Sequence, residues 1–262
     1  MKTKHLKNFI LAITFIFLYL PIIILVVFSF NTSKMNILLE GFTLSWYKTL
    51  FQNTNLIEAF INTMIIAIIS TIISTIIGTI SAVGLHKYEF KLKNIINKLI
   101  YIPIVIPEIV LGISLLSIYT LTKLELGMFT LIISHIAFSI PFVIVSVRSS
   151  LNYQLDTLEE AAKDLGANDT NIFFKIILPL IKPGVISGAT LALTLSLDDV
   201  VISYFTAGPG SNTLPLKIYS MIKTGITPDV NALSSLMLLV TIVILTISAM
   251  YQSKKLGETY EK

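Results

Sequence analysis

The chain contains no cysteine. Disulfides, cysteine-ligated zinc, iron–sulfur clusters and thiol catalysis are therefore excluded. It is also poor in charge. Asp, Glu, Lys and Arg make up 13% of its 262 residues, against roughly 25% in an ordinary soluble domain. Several signatures of chemistry are missing as well. No G-x-x-x-x-G-K-[ST] loop is present to cradle a nucleotide's phosphates, and there is no HExxH. His5, His86 and His135 are scattered, and no nucleophile has a recognisable base beside it. A membrane enzyme and a nucleic-acid binder are both poor readings. The net charge of +4 has its meaning in where the cations lie.

What the chain has is apolar length. Hydrophobic residues reach 54% and mean hydropathy is +0.84, which rules out disorder and points to lipid as the solvent. The apolar residues fall into six blocks, at about 9–30, 61–85, 99–121, 127–147, 184–205 and 230–251. Each approaches the roughly 20 residues that a spanning helix needs. None alternates as barrel strands do. The first block follows Lys2, Lys4 and Lys7 like a signal peptide, but it exceeds the roughly 7–15 residues of a signal core and ends in no small-x-small site. It reads as a retained span. The expected fold is an all-α, six-span membrane protein forming one domain over residues 1–262.

Orientation follows from the cations. With the N-terminus in the cytoplasm, fourteen of the nineteen Lys and Arg residues fall inside. Only Lys34, Lys48, Lys123, Lys217 and Lys223 fall outside. This bias predicts two cytoplasmic termini. Two long outer segments result, about 31–60 and 206–229. The first carries Trp46 and Tyr47, suited to the membrane interface. The second carries an amphipathic stretch, 216–223, that reads equally as a surface for an external partner or an ordinary interfacial helix.

The inner segment 149–182 differs in kind. It is charged and punctuated. Asp156 or Thr157 would cap a first helix, Gly166 would end it, and Asp169 or Thr170 would start a second. Pro179 and Pro183 mark the return to the membrane. Within it, Glu160-Ala161-Ala162, three residues, Gly166, nine residues, then Ile176-Ile177-Leu178-Pro179 satisfies every fixed position of E-A-A-x3-G-x9-I-x-L-P. That pattern resembles the EAA motif of ABC importer permeases. Leu197-Asp198-Asp199-Val200-Val201, Gly208-Pro209, the run 214–220 and Asn231-Ala232-Leu233 further resemble spermidine/putrescine permeases of the PotC type, over about 61–250. Pro107 is followed by Glu108 where that resemblance leads one to expect Asp.

The resemblance implies a type I importer fold and a set of partners. These are a second homologous permease, two cytoplasmic ATPase subunits, an extracytoplasmic polyamine-binding protein and the bilayer of a prokaryotic plasma membrane. It implies that the EAA segment is a coupling helix docked on an ATPase, with Glu160, Ala161, Ala162, Gly166, Ile176, Leu178 and Pro179 serving coupling. ATP and Mg would be used by the partners, with no cofactor on this chain. The nearest alternative is an importer of another small solute. An ion channel is the alternative of a different class, and it would have no use for a coupling segment.

Three carboxylates lie inside the apolar blocks: Glu108, Asp198 and Asp199. An Asp at a helix centre costs roughly +2.5 to +3.5 kcal/mol on insertion scales. No Lys or Arg shares the blocks 99–121 and 184–205, so a cationic substrate would complement them. At about 100° per residue, Gly188, Ala192, Ser196, Asp199 and Ser203 share one small, polar face, while Asp198 sits with Ser187, Leu191 and Thr194. This favours Asp199 for the pathway over Asp198. The other reading is that one or both Asp residues cap a broken helix or bind another span. In a continuous helix, Tyr101 and Tyr119 would share the Glu108 face and offer cation–π contact. Both also suit an interfacial belt. His135 reads either as a packing residue or as part of the pathway.

Overall fold

The computed structural model describes residues 2–33, 38–151, 153–224 and 228–260. Among the described residues the elements are helices, in the order α1 (Lys2–Phe28), α2 (Ser45–Gln52), α3 (Thr54–Lys87), α4 (Lys93–Leu99), α5 (Ile102–Val105), α6 (Glu108–Leu121), α7 (Met128–Arg148), α8 (Tyr153–Asp164), α9 (Asp169–Ile172), α10 (Leu178–Asp198), α11 (Val201–Thr206), α12 (Leu214–Thr224) and α13 (Pro228–Tyr260). A π-helical turn, Phe173–Ile177, joins α9 to α10.

Among the described residues, five uninterrupted stretches are long and apolar enough to cross a bilayer: Leu6–Phe28, Thr54–Lys87, Met128–Arg148, Asp169–Asp198 and Pro228–Ile247. The expected span 99–121 is not one helix. Lys93–Val105 and Glu108–Leu121 meet at 109° and make a sixth span only if taken together. The cause is local. Pro107 forces its predecessor out of the helical region, and Ile106 is extended at φ −67°, ψ 136°. The expected span 184–205 is also interrupted. Its helix stops at Asp198, and Asp199 is extended at φ −63°, ψ 126° before α11 begins.

The chain divides into two compact units. The smaller comprises Met1–Glu58 and Ile218–Val243. In it the apolar side chains of α1 are largely exposed, from Leu6 to Val27, as expected for a surface against lipid or another helix. The stretch after α1 is stitched to α2. Asn31 pairs with Phe42 in a single antiparallel bridge, Trp46 Nε1 donates to Asn31 O at 2.6 Å, and Ser29 and Tyr47 share a 2.8 Å hydrogen bond.

The larger unit comprises Ala59–Lys217 and Ile244–Lys262. Its core joins three spans to the inner segment: Ala82 and Val83 of α3, Val143, Ile144 and Val147 of α7, and Ile181 and Ala192 of α10 pack with Leu155, Ala162, Ile172 and Ile177. Close approach of α7 and α10 depends on glycine. A Cβ at Gly184 would lie 2.8 Å from Ser146 O and closer still to Ser150 Oγ. Small residues of this kind bring membrane helices together where burial of apolar surface gives little drive. At the other end, Asn62 Nδ2 donates to Gly210 O and Asn212 O at 3.2 Å, and Leu214 N donates to Thr63 Oγ1 at 2.8 Å. These bonds hold the segment after α11 against the start of α3.

Candidate functional site

The two helix breaks each carry intramembrane carboxylates. Glu108 opens α6 just after Pro107, and Asp198 closes α10. Helix α11 packs along α6; a Cβ on Gly112 would lie 2.6 Å from the Phe205 ring. Glu108 consequently lies within the electrostatic reach of Asp199 and Asp198, although about 90 residues separate them in sequence. Discontinuous helices near the membrane midplane are a recurrent construction for solute sites in transporters.

The three groups are not equivalent. Asp199 is 8% exposed, and its carboxylate is occupied. Oδ1 accepts from Ile202 N at 3.1 Å. Oδ2 accepts from Ser203 N and Ser203 Oγ, both at 2.7 Å. Two of these donors are free N–H groups at the start of α11, so the Asp199 side chain, one residue ahead of the N-cap Val200, caps the second half of a broken helix. His135 stands beside it, with Nε2 3.5 Å from Oδ2. The His135 ring is itself held, Nδ1 by Ser196 Oγ at 2.7 Å and Nε2 by Ser203 Oγ at 3.1 Å. Ser196 also meets Ser70 of α3 at 3.2 Å. The face expected to line the pathway, Gly188, Ala192, Ser196, Asp199 and Ser203, is buried throughout. Asp198 and Glu108 are exposed. Asp198 also sits at the C-terminal, negative end of a 21-residue helix, where unpaired carbonyls add to its attraction for a cation.

The tyrosine stripe does not form. Tyr101 precedes α5 and lies across the break from Glu108, so the two are not on one helix. Tyr119 is 4% exposed. Its hydroxyl donates to Thr130 O at 3.3 Å and pairs with Ser134 Oγ at 2.8 Å. It braces α6 against α7.

The inner segment folds as two helices about a glycine. Helix α8 begins at Tyr153, so Asp156 and Thr157 lie within it rather than capping it; the Asp156 side chain is outside the described residues. Gly166 ends α8 at φ +81°, a left-handed conformation that glycine adopts without Cβ strain. Asn168 caps α9 by accepting from Asn171 N at 2.8 Å. The chain then passes into the π-turn. Leu178 N bonds back to Phe173 O, five residues away. Pro179 has no N–H to donate, so the ladder loosens just before it.

The two motif alanines face opposite ways. Ala161 is exposed with Glu160, while Ala162 belongs to the core formed with Leu155 and Ile172. Leu158, 46% exposed, and Leu165, 89% exposed, lie on the Ala161 side at helical spacing. Ile176 is partly buried against the core, Leu178 is half-buried and Pro179 is exposed. Sequence reasoning passed over Lys87 and Glu159. Lys87 Nζ lies 2.5 Å from Glu159 Oε1 and 3.3 Å from Asp169 Oδ1, and Lys163 Nζ reaches Glu159 at 2.7 Å. Burial opposes ionisation of Glu159. The hydrogen bonds and charges of Lys163 and Lys87 outweigh it and hold the carboxyl below its usual range. The only prior signal was position: Glu159 immediately precedes the motif.

Residues 74–254 match the family model described as "Binding-protein-dependent transport system inner membrane component". The chain is 42% identical over 252 residues, 96% of each protein, to the spermidine/putrescine transport system permease protein PotC of Escherichia coli. It is 40% identical over 254 residues to the protein of the same name from Haemophilus influenzae, covering 97% of this chain and 99% of that one. Among solved structures, a bacterial ABC transporter involved in import of the acidic polysaccharide alginate superposes with a TM-score of 0.72. It covers 95% of this chain and 96% of its own, at 17% identity, a likeness of fold.

Proposed function

We propose, from the premise that this chain belongs to the family of binding-protein-dependent transport system inner membrane components, that it is a membrane-spanning subunit of an ATP-driven importer of polyamines, spermidine and putrescine. The curated relatives support the cargo. The observation that carries the reading is the placing of exposed Glu108 and Asp198 at two helix breaks, within electrostatic reach of each other, with no Lys or Arg in the segments 99–121 and 184–205. A polyamine is a flexible chain of ammonium groups. It needs separated anionic points along its path, and it needs them accessible.

In this reading Glu108 and Asp198 pair in turn with ammonium groups as they pass. Asp199 shapes the path by holding the start of α11, and His135 holds Asp199 in place. Neither residue meets the substrate. Energy comes from elsewhere, because the chain has no loop to hold a nucleotide. Two ATPase subunits bind ATP and Mg2+ in the cytoplasm, a second permease completes the pathway, and an extracytoplasmic binding protein delivers the polyamine. The exposed face of α8, with Glu160, Ala161, Leu158 and Leu165, docks on an ATPase. Gly166 allows the sharp turn that presents it. Both termini lie in the cytoplasm and the membrane is the plasma membrane of a prokaryote. Closure of the ATPase pair moves the segment and opens the path outward; hydrolysis resets it.

The test is ATP-dependent uptake of labelled spermidine into proteoliposomes. They contain this chain with its neighbouring permease and ATPase, with the binding protein outside. Uptake that vanishes without ATP supports the importer and its cargo. An assembled complex that hydrolyses ATP but takes up neither spermidine nor putrescine overturns the cargo and leaves the architecture.

A further inference from the structure

We propose that Lys87 is a positioning residue that locks the cytoplasmic end of α3 to the coupling segment, so that the span and the segment move as one body. The proposal rests on the coupling reading above and extends it to a residue outside the motif. Lys87 is the last residue of α3. Its single ammonium meets α8 through Glu159 and α9 through Asp169. Three elements are thus held at one point, and a cation is well placed at the C-terminal end of a 34-residue helix.

The two bonds differ in weight. The Glu159 side chain is 9% exposed and that of Lys87 20%, while that of Asp169 is 74% exposed. Solvent screens the Asp169 pair. The Glu159 pair carries the lock, and Lys163 meets the same carboxylate oxygen of Glu159. The apolar contacts beneath do not do this work alone. Ala82 and Val83 pack near Leu155, Ala162, Ile172 and Ile177, and such surfaces can slide. Beside Lys87 they do not even close: a cleft of about 330 Å³ opens between α3 and the π-turn, lined by Ile80, Val83, Gly84, Phe173 and Ile177 among others. A short, partly buried ion pair opposes such sliding where packing leaves register free. The segment's other attachment is of the opposite kind. It enters α10 through the π-turn ahead of Pro179, a loosened stretch able to act as a hinge. The segment is therefore locked to α3 and hinged to α10.

The experiment uses the assembled transporter in proteoliposomes and the variants Lys87→Met, Lys87→Arg, Glu159→Gln and the double Lys87→Met/Glu159→Gln. Solute taken up per ATP hydrolysed is one readout. The other needs no solute. Since the chain has no cysteine, spin labels can be placed at Ile76→Cys on α3 and Asn171→Cys on α9, both exposed positions, and their separation compared with and without ATP. The expected result has four parts. Lys87→Met assembles and hydrolyses ATP but moves about fivefold less solute per ATP. Lys87→Arg recovers most of the loss. The double variant is no worse than Lys87→Met, as residues acting as one pair require. The label separation, unchanged by ATP in the parent, becomes ATP-dependent in Lys87→Met. An unchanged ratio and separation in Lys87→Met overturns the proposal, as does loss of assembly in both Lys87→Met and Lys87→Arg. A parent that takes up no polyamine defeats the cargo reading, while the label separation still decides the lock.

Discussion

Neutralising the two adjacent aspartates separately should lower uptake by two distinguishable routes, and the structure sets the size of each. In Asp198→Asn an exposed carboxylate at the end of α10 loses its charge and little else. An ammonium about 4 Å from a carboxylate gains about 4 kcal/mol at an effective dielectric constant near 20. Asp198 is exposed enough that solvent screening reduces this to about 1–2 kcal/mol. Uptake efficiency for spermidine should therefore fall about 5- to 30-fold, with normal assembly and thermal stability. The loss should shrink as salt rises. In Asp199→Asn the amide can replace at most one of the two acceptors that hold Ile202 N, Ser203 N and Ser203 Oγ. A buried donor is left facing a donor, at about 1–3 kcal/mol. That cost falls on α11, so thermal stability should drop along with uptake, and the uptake defect should not respond to salt. The assay is labelled spermidine uptake at two ionic strengths, with a melting curve of the purified complex. Asp198→Asn with uptake within twofold of the parent, or Asp199→Asn with parental stability, would refute this division of labour.

Other expectations concern the breaks and the coupling segment. Pro107→Ala removes the restraint that keeps Ile106 extended; it should let the bend relax and lower uptake without lowering expression, which transport assays and a labelled-pair distance across residues 99 and 113 would check. Gly184→Leu forces a side chain into Ser146 and Ser150 and should destabilise the α7–α10 contact by about 1–3 kcal/mol, read as a lower melting temperature. Gly166→Asp places a Cβ at φ +81°, costing about 1 kcal/mol, and Glu160→Lys reverses a charge on the exposed face; both should leave ATPase activity in the complex while reducing solute moved per ATP. For pH, the Glu159 carboxyl is held below its ordinary 4.5, so the stability it adds is complete above that value and is lost as pH falls through the lower folded value. Coupling between pH 6 and 8 should accordingly be insensitive to this pair; a melting-temperature change across that range that disappears in Glu159→Gln would contradict it.

Much of the architecture was legible because lipid imposes a simple rule. Every spanning segment must satisfy its own backbone, so apolar length alone located the six blocks, and the spacing Glu160 to Pro179 marked the inner segment. The site was harder to read, because the arguments about faces assumed continuous helices. Pro107 was visible as a breaker, yet one extended residue at Ile106 was enough to put Tyr101 across a 109° bend from Glu108. The second break had no proline or glycine to announce it. Asp199 makes it by offering its carboxylate to the N–H groups of the residues that follow, an exchange that sequence periodicity cannot register. Ala161 and Ala162 looked equivalent as small residues, and only the packing of α8 on its own spans separates them.

The breaks also explain how a chain so poor in charge can keep three carboxylates inside the membrane. One continuous helix would leave each of them to pay desolvation alone. Interrupting it converts Asp199 from a burden into a cap, because the new N-terminus supplies three donors within 3.1 Å. Once α11 is anchored by Asp199, His135 and the Thr130 Oγ1–Thr206 O bond at 2.8 Å, it packs on α6 and brings Glu108 toward Asp198. Structure is thus secured by the aspartate that is buried and hydrogen-bonded to α11, and attraction for a cation is left to the two carboxylates that are exposed. The division predicts which substitutions trade places. A neutral but hydrogen-bonding residue can serve at Asp199 if stability is restored elsewhere in the protein, away from the Ser203 hydroxyl that also holds His135. No such compensation exists at Asp198, where charge itself is the function. Recovery of uptake in Asp199→Asn by an independent stabilising change, but never in Asp198→Asn by any neutral change, is the expected pattern; recovery of Asp198→Asn by a neutral second-site change would show that the cation is held elsewhere.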